Sequence, residues 1–435
     1  MNVRFSIFLC LFFTAVLTSG CNSASISSPV SQATAITFTF SGGTPTAVAT
    51  RVGSGHFAAA TLVNQKVSVT LPSGEARAAI AYVCAAPGSG SSTGSGSSFV
   101  ASQYQYIHEV SSQDGLNYSL PCLPLPQDET PLGQLTATVD ASAIPGVTSL
   151  SVFAMGSGTS RAATKTGDML SGQTGNFSFN APAGSDRVLV LARDNSGNLL
   201  AVRNFASQAV PGALHGGSTI VLDANDLTIP EAVSYANLLA GYSVMNANAL
   251  VVLNTDTRVV IGQVQSSYPA FPASALQSGD RYVVSAFAST GGASSSTMQS
   301  AVSTTQSISV NAPITLNFPT PWNDVAPVPS ATPGFPINYT GFAGGSNLSV
   351  NAWIQTPILP PSGGTQYSYS IETTSHAMQG ATVSLPDLSG ISGFYPPPAS
   401  GNQVLWTITL EATTGSAYPD PDSKSVLASG IYTTP

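Results

Sequence analysis

Apolar and polar residues alternate along much of this 435-residue chain. The alternation is clearest in ITFTF (36–40), KVSVTL (66–71) and LWTITLEA (405–412), and it recurs in FSF (177–179) and SISVNAPITLNF (307–318). Side chains on a β-strand point to opposite faces in turn, so a period of two predicts strands with one buried face. These runs are rich in Val, Ile, Thr and Phe and are bounded by Gly and Pro. The sequence therefore predicts a nearly all-β fold of antiparallel strands.

Helical periodicity is almost absent. No long segment carries an apolar stripe with a period of 3.6 residues. The best helical candidate is IPEAVSYANLLA (229–240), for which we expect at most a short helical turn.

A turn followed by a strand repeats along the chain. Each copy has a Gly-containing turn and then an apolar run, and the first three copies carry an acidic and then a basic residue. The turns are Pro72-Ser73-Gly74-Glu75-Ala76-Arg77, Pro182-Ala183-Gly184-Ser185-Asp186-Arg187, Ser278-Gly279-Asp280-Arg281 and, more weakly, Ser400-Gly401-Asn402-Gln403. A spacing of roughly 100 residues matches one β-sandwich of about seven strands. The repeat predicts a tandem array of four sandwiches.

Breaks in the strand pattern set the boundaries of the array. Pro-rich segments at 123–132 and 319–336 and a polar segment at 223–232 cannot continue a sheet. Because Pro-rich linkers are semi-rigid, we expect an extended array with the last sandwich at its tip, farthest from the N-terminus. The predicted sandwiches are residues 35–126, 132–225, 229–320 and 325–435.

The second repeat, GNFSFNAPAGSDRVLVLARDNSGN (175–198), resembles carboxypeptidase-regulatory (transthyretin-like) domains. The whole array resembles the immunoglobulin-like arrays of bacterial surface lipoproteins. The resemblance implies β-sandwich architecture and carries over no catalytic residue. The chain also lacks the Cys…Trp…Cys pattern of antibody domains.

The N-terminus reads as an export signal. Arg4 precedes an apolar run at 5–17, which is too short to span a membrane, and small residues follow it. Leu17-Thr18-Ser19-Gly20-Cys21 resembles the lipobox of bacterial lipoproteins. That resemblance implies a signal peptide at 1–20 and diacylation of Cys21. The single Arg4 and the presence of Thr18 leave an ordinary secretory signal as the alternative.

The lipobox resemblance also implies a location. Asn22 follows the cysteine, whereas Asp at this position is the usual signal for retention in the inner membrane, so the outer membrane is expected. The acyl chains would hold the protein on the membrane, facing the periplasm or the cell surface. Residues 21–34 are rich in Ser and Ala and are predicted to be a flexible tether.

Charge excludes one class of partner. Charged residues make up only 7% of the chain, against about 25% in an average protein, and the net charge is −8. Binding to nucleic acid needs a basic face, so it is not expected.

Cysteine usage agrees with export. Cys10 lies in the signal and Cys21 is the lipidation site, so Cys84 and Cys122 remain. Each of these two follows a predicted strand, and the simple interpretation is a disulfide.

Two acidic loops are candidates for calcium. Oxygen-bearing residues stand close together in each loop, as calcium ligands do. The residues are Asp194, Asn195, Ser196 and Asn198 in one loop, and Asp223, Asn225 and Asp226 in the other. The alternative for the first loop is an ordinary β-hairpin turn, in which Asn and Gly supply positive φ. Apart from this calcium, no cofactor is expected.

Two tyrosine pairs are candidates for ligand stacking. Tyr104 and Tyr106 alternate on one predicted strand, and Tyr367 and Tyr369 on another, so the members of each pair share a face. Exposed faces would stack against sugars or a protein partner. Buried faces would make the tyrosines core residues. Trp353 and Trp406 are interpreted as core residues of the last sandwich.

No catalytic constellation emerges. Gly90-Ser91-Ser92-Thr93-Gly94 fits the hydrolase motif GxSxG, but it lies in a Gly/Ser-rich linker (88–98) with no strand-to-helix context. His215-Gly216-Gly217 is interpreted as a turn before a strand. The four histidines have no metal-ligand spacing.

Together these features favour a lipid-anchored, non-catalytic protein of the cell envelope that binds a partner, spaces it or has a structural role. An envelope protein or a polysaccharide is the expected partner. The alternatives are an array of carbohydrate-binding modules, or a polysaccharide-processing hydrolase with carboxylates between domains.

Overall fold

A computed structural model describes residues 34–84, 101–122, 132–155, 165–184, 187–206, 208–254, 258–290, 299–308, 311–322, 327–342, 347–356, 365–378, 382–414 and 422–435. These residues form 28 strands, three short 3₁₀ turns and no α-helix. The predicted all-β class is confirmed. Below, the four predicted sandwich spans are called the first to fourth units.

The first unit has two layers. Its strands are β1 (Thr34–Gly42), β2 (Ala47–Val52), β3 (Ala58–Ala59), β4 (Lys66–Leu71), β5 (Arg77–Val83), β6 (Ala101–Ser111) and β7 (Asn117–Cys122). One layer has the order β4-β1-β7, and the other contains β3, β2, β5 and β6. Phe38, Phe40 and Ile80 pack between the layers and are fully buried.

The second unit is also a sandwich. Its strands are β8 (Leu132–Asp140), β9 (Ser149–Met155), β10 (Lys165–Ser171), β11 (Thr174–Pro182), β12 (Arg187–Arg193), β13 (Leu199–Phe205), β14 (Gly212–Ala213) and β15 (Ile220–Val221). The sheets are β10-β9-β12-β13 and β11-β8-β14, with β15 also on β8. Residues Leu214–Gly217 and Ala224–Asp226 form 3₁₀ turns.

The third unit begins with a strand where a helical turn was expected. Its strands are β16 (Ile229–Ala236), β17 (Ser243–Val252), β18 (Arg258–Gln263), β19 (Ser267–Ala270), β20 (Arg281–Ser289), β21 (Gln299–Ile308) and β22 (Ile314–Asn317), with a 3₁₀ turn at Ala273–Ala275. The helical expectation for 229–240 is wrong. β16 pairs with β19 and with β22, and this pairing provides backbone partners that a short helix would have to find within itself.

The fourth unit has one large layer and a small cover. Its strands are β23 (Gly334–Pro336), β24 (Asn347–Thr356), β25 (Thr365–Thr374), β26 (Thr382–Ser384), β27 (Gln403–Thr414) and β28 (Asp422–Thr433). β23 pairs with β26, and Phe335 of this small sheet packs against Trp406 of β27.

Three of the four units share one sheet of twelve strands. Its order is β18-β17-β20-β21-β28-β27-β24-β25-β6-β5-β2-β3. β21 pairs with β28 to join the third unit to the fourth, and β25 pairs in parallel with β6 to join the fourth to the first. The expected extended array with the fourth unit at its tip is therefore wrong, because the fourth unit lies between the first and the third.

The large sheet has two different faces. We call the face with Tyr82 and Trp353 the upper face and the face with Ile107 and Trp406 the lower face. Over β2 and β5 the upper face is covered by the layer β4-β1-β7, and Val110 of β6 also lies in this core. The lower face packs into the main core from β18 to β2, so β5 is buried on both sides.

The repeated turns are confirmed as turns that lead into strands. Gly74, Gly184, Gly279 and Gly401 all have positive φ, between 74° and 95°. Residues with a Cβ rarely adopt this conformation, which explains the glycine in every copy. The strands β5, β12, β20 and β27 begin two or three residues after these glycines.

The charged residues of two repeats meet in a buried joint. Arg187, from the second repeat, donates two hydrogen bonds of 2.7 Å to Asp280, from the third. Both side chains are 1% exposed. Arg187 also donates to the side chains of Asn204 and Asn254 and to the carbonyl of Ala275. The second and third units are thus held together by a saturated ion pair.

The expected disulfide is confirmed. Cys84 and Cys122 are bonded, with Cα atoms 5.6 Å apart. Cys84 directly follows β5 in the large sheet, and Cys122 ends β7 in the opposite layer. The bond therefore links the two layers of the first unit.

Candidate functional site

The two tyrosine pairs lie on opposite faces of the large sheet. In the parallel pairing of β6 with β25, Tyr104 lies beside Ser368 and Tyr106 beside Ser370, on the upper face. Tyr367 and Tyr369 point to the lower face. Tyr369 is 1% exposed and its hydroxyl donates to the carbonyl of Pro396.

Tyr367 is also tied to the core, since its ring centroid lies 5.1 Å from that of Tyr395. Tyr104, by contrast, is 39% exposed, and Tyr106 is half-buried. Of the two predicted stacking pairs, only Tyr104 and Tyr106 meet the condition of an accessible face.

A third aromatic side chain completes a groove. Trp353 of β24 lies beside Ser370, on the same face as Tyr106. Two serines of β25 lie between the walls, with Tyr104 and Tyr106 on one side and Trp353 on the other; Ser370 is half-buried and Ser368 is buried. The walls stand two strand spacings apart, about 10 Å. We call this set, Tyr104, Tyr106, Trp353, Ser368 and Ser370, the aromatic groove.

Trp353 was interpreted from the sequence as a core residue, together with Trp406. The structure buries Trp406 to 3% exposure, but Trp353 is only half-buried, on the other face. The two residues alternate with apolar neighbours in the same way. Their difference arises because a cover lies on only one face of this part of the sheet.

The walls of the groove are rigidly held. The ring of Tyr106 stacks on that of Tyr82, with centroids 5.1 Å apart and an interplanar angle of 19°. Tyr82 itself is fully buried. Burial raises the pKa of the Tyr106 hydroxyl, which therefore stays protonated in neutral solution. Trp353 lies on a strand that is paired on both sides, with β25 and β27.

The polar groups of the groove are free to receive a ligand. Within the described part of the chain, the hydroxyls of Tyr104 and Tyr106 and the indole N–H of Trp353 have no hydrogen-bond partner. A flat apolar ring with an unsatisfied polar group is suited to a ligand that is itself both apolar and hydroxylated.

A chain of hydrogen bonds closes one end of the groove. Nδ1 of His108 lies 3.0 Å from a carboxylate oxygen of Glu372, and its Nε2 lies 3.3 Å from the hydroxyl of Tyr82. The arrangement has the order of an acid, a base and a nucleophile. Tyr82 is 0% exposed, however, so no substrate reaches its hydroxyl. This chain of hydrogen bonds joins the first unit to the fourth.

A second histidine pair crosses the same junction. His376 of the fourth unit contacts a carboxylate oxygen of Asp114 in the first, and Thr374 donates to the other oxygen. Two of the chain's four histidines therefore pair with acids where β6 meets β25.

The hydrogen bond from His108 lowers the pKa of Glu372 below its ordinary value of 4.5. A carboxyl group with a lowered pKa in the folded protein stabilises the fold above its unfolded-state pKa, and this contribution is lost as the pH falls through the folded-state pKa. Wild type should thus be more stable than Glu372→Gln at pH 6, and the difference should shrink as the pH falls below 4.5. Since Glu372 is 47% exposed, we expect less than about 1 kcal/mol.

Thermal melts of both proteins between pH 3 and pH 7 measure this difference. Glu411→Gln, on the same face of β27, serves as the control. A difference between wild type and Glu372→Gln that stays constant over this range would contradict the assignment.

The first predicted calcium loop is a hairpin turn. One oxygen of Asp194 accepts hydrogen bonds from the amides of Ser196 and Asn198, at 2.9 and 2.8 Å, and its other oxygen accepts from the Asn198 side chain. Within the described part of the chain, the side chain of Asn195 has one hydrogen bond, which it accepts from the hydroxyl of its neighbour Ser196. The alternative interpretation of this loop, a turn between β12 and β13, is confirmed.

The second predicted loop is a capped 3₁₀ turn. Asp223 accepts from the amide of Asn225 at 2.7 Å, and Asp226 accepts from the amide of Asp223 at 2.9 Å. Asp226 also pairs with Arg203. Among the described residues, no group of three or more His, Cys, Asp or Glu side chains could hold a metal ion.

The remaining predictions fall in two classes. His215-Gly216-Gly217 forms the 3₁₀ turn before β15, and this interpretation as a turn is confirmed. Cys21 and the GxSxG match at 90–94 lie outside the described residues.

A separate cleft of about 630 Å³ lies between the third and fourth units. Phe318, Phe342 and Asn317 line it, and Lys424 and Asp422 stand at one side. Phe318 in its floor is only 3% exposed, so this ring offers little surface to a ligand. The cleft is a second candidate binding site, and it is lined by charged as well as aromatic side chains.

Sequence comparison adds no family to this description. No protein-family model matches the chain, and no curated protein matches it either. Within the described residues no helix is long and apolar enough to cross a membrane.

Proposed function

We propose that this protein is a lipid-anchored, non-catalytic binding protein of the cell envelope, and that the aromatic groove is its contact site. The observation that supports this most directly is the set of three aromatic side chains with free polar groups on a sheet shared by three units. Such a sheet resists bending, so the groove is pre-organised for a partner.

The anchor in this proposal is Cys21. The lipobox at 17–21 would place two or three acyl chains on this residue, and each buried methylene contributes about 0.8 kcal/mol to membrane binding. Asn22 favours the outer membrane. The tether at 21–34 would then hold the folded units away from the bilayer.

The polar networks support binding rather than catalysis. The carboxylates of Asp194, Asp226 and Asp280 are saturated by turn amides or by arginine. The alternative of a polysaccharide-processing hydrolase needs two facing carboxylates. Among the described residues that line the cleft between the third and fourth units, Asp422 is the only acid.

Membrane fractionation tests the anchor. Wild type should sediment with membranes, whereas Cys21→Ser should be released. The mass of the mature wild-type protein should equal that of a chain that begins at Cys21 and carries acyl chains. Asn22→Ser leaves the cysteine intact and is the control for retention. A soluble wild-type protein with an unmodified N-terminus would contradict the anchor.

Photocrosslinking tests the contact site. A photoreactive phenylalanine analogue at position 104 should capture envelope material in cells, and the same analogue at position 287, on the upper face of β20, should not. Phe287 is 37% exposed and is therefore matched in accessibility to Tyr104. Equal capture from the two positions, or none from either, would contradict the groove as contact site.

A further inference from the structure

We infer that the aromatic groove binds a neutral polysaccharide, with a sugar ring over Ser370 between Tyr106 and Trp353. The inference rests on the proposed binding function and names its ligand.

The first argument is the chemistry of the walls. A pyranose ring has a flat face of C–H groups and an edge of hydroxyls. Tyr104, Tyr106 and Trp353 offer aromatic faces for the C–H groups and O–H or N–H groups for the hydroxyls. These polar groups have no partner among the described residues, so a sugar would replace water without breaking a hydrogen bond within the protein.

The second argument is the shape of the floor. Ser370 is half-buried and is small enough to leave room between Tyr106 and Trp353, whereas Ser368 is 2% exposed and is closed off by its neighbours. Flanking strands on both sides fix the distance between the walls. A peptide partner would more readily add to a strand edge, but β25 has no free edge, because it pairs with β24 and with β6.

The third argument is charge. On the upper face of β6, β25, β24, β27 and β28, the described side chains include no lysine or arginine. The charged or titratable groups other than tyrosine are His108, Glu372 and Glu411. A sulfated or uronic acid polymer would find no cation there and would be repelled by a protein of net charge −8. A neutral polymer meets no such barrier.

The face beside the groove extends the same chemistry. Gln355 and Asn351 flank Trp353 on the same face of β24, and Thr407 lies next to Trp353 on β27. Amides and hydroxyls of this kind both donate and accept hydrogen bonds, as sugar hydroxyls do. A polymer with one ring on Trp353 is long enough to reach these side chains with its next rings, which a single sugar is not.

Tryptophan fluorescence gives a direct readout. The chain has three tryptophans, and Trp322 and Trp406 are each 3% exposed. Acrylamide should therefore quench mainly Trp353. The probes are soluble neutral polysaccharides, namely hydroxyethyl cellulose, xylan, glucomannan, a β-1,3-glucan and dextran, with dextran sulfate as the anionic control. The protein is the full mature chain in a detergent without a sugar headgroup.

We expect at least one neutral polysaccharide to protect Trp353 from quenching and to retard the protein in affinity electrophoresis, and dextran sulfate to do neither. Trp353→Ala and Tyr106→Ala should each weaken retardation by about tenfold or more, as for a central aromatic anchor. Trp353→Phe should retain part of the affinity. Thermal melts confirm that each variant is folded.

Two control variants locate the site. Ile431→Ala removes an apolar side chain from the same face, outside the groove. Ile431 is 38% exposed, close to the 39% of Tyr104. Lys424→Ala alters the cleft between the third and fourth units. Both should bind the polysaccharide like wild type. Loss of binding in Lys424→Ala with full binding in Trp353→Ala would move the site to the cleft and overturn the inference.

The outcomes separate the two proposals. If position 104 captures an envelope protein and no polysaccharide protects Trp353, the contact site stands and the polysaccharide inference is overturned. If position 104 captures nothing and no polysaccharide binds, both are overturned.

Discussion

Arg187→Ala should destabilise the protein by about 3–5 kcal/mol, because it leaves the Asp280 carboxylate buried without its partner. Both side chains are 1% exposed, so water cannot take the place of the guanidinium. Asp280 would keep only the amides of Asn254 and Gln277 as donors. We expect the second unit to separate from the third at lower denaturant concentration than in wild type.

Urea unfolding followed by circular dichroism measures this loss. A cycle of Arg187→Ala, Asp280→Ala and the double variant isolates the pair, and the double variant should be more stable than the sum of the single effects predicts. Arg77→Ala is the matched control. It is also the arginine of a repeat, but it is 31% exposed beside Glu75, so we expect less than about 1 kcal/mol. Equal effects of Arg187→Ala and Arg77→Ala would contradict the buried joint.

Replacing both Cys84 and Cys122 with Ser should cost about 4 kcal/mol, as the chain-entropy model gives for a closed loop of this length. The bond spans 38 residues and links the two layers of the first unit. Without it, the unfolded chain regains the freedom of the segment that contains β6. The layer β4-β1-β7 should then separate more easily from the large sheet.

Thermal and urea unfolding of the double Ser variant and of wild type, with and without reductant, measure this contribution. Reduced wild type should match the Ser variant, and reductant should leave the Ser variant unchanged. A loss below about 1 kcal/mol would mean that the unfolded chain gains little freedom, contrary to the entropy model.

The local structure was largely predictable from the sequence. Period-two alternation identified the strands, and the glycines at 74, 184, 279 and 401 marked turns that require positive φ. The disulfide followed from the predicted export signal and from two cysteines at the ends of predicted strands. Each of these signals lies within a few residues of the structure that it predicts.

The assembly of the units was not predictable in this way. β6 pairs with β25, more than 250 positions later in the chain, and no local sequence pattern predicts such a distant partner strand. The segment at 229–240 illustrates the same limit, because its strand is stabilised by neighbours that are distant in sequence.

The candidate site was predictable in part. Alternation correctly placed Tyr104 with Tyr106 on one face, but it did not indicate which face would be covered. The same ambiguity led to the interpretation of Trp353 as core. The pairing of Arg187 with Asp280 was also missed, because the repeat suggested pairs within each turn rather than between turns.

The position of β28 has a consequence for how the chain folds as it is synthesised. This strand is the last of the described strands, yet it lies inside the large sheet between β21 and β27. The third unit therefore reaches the fourth only after some 120 further residues have emerged. Until then β21 presents an open edge that can pair with another chain. Protection from aggregation is needed longest at that edge.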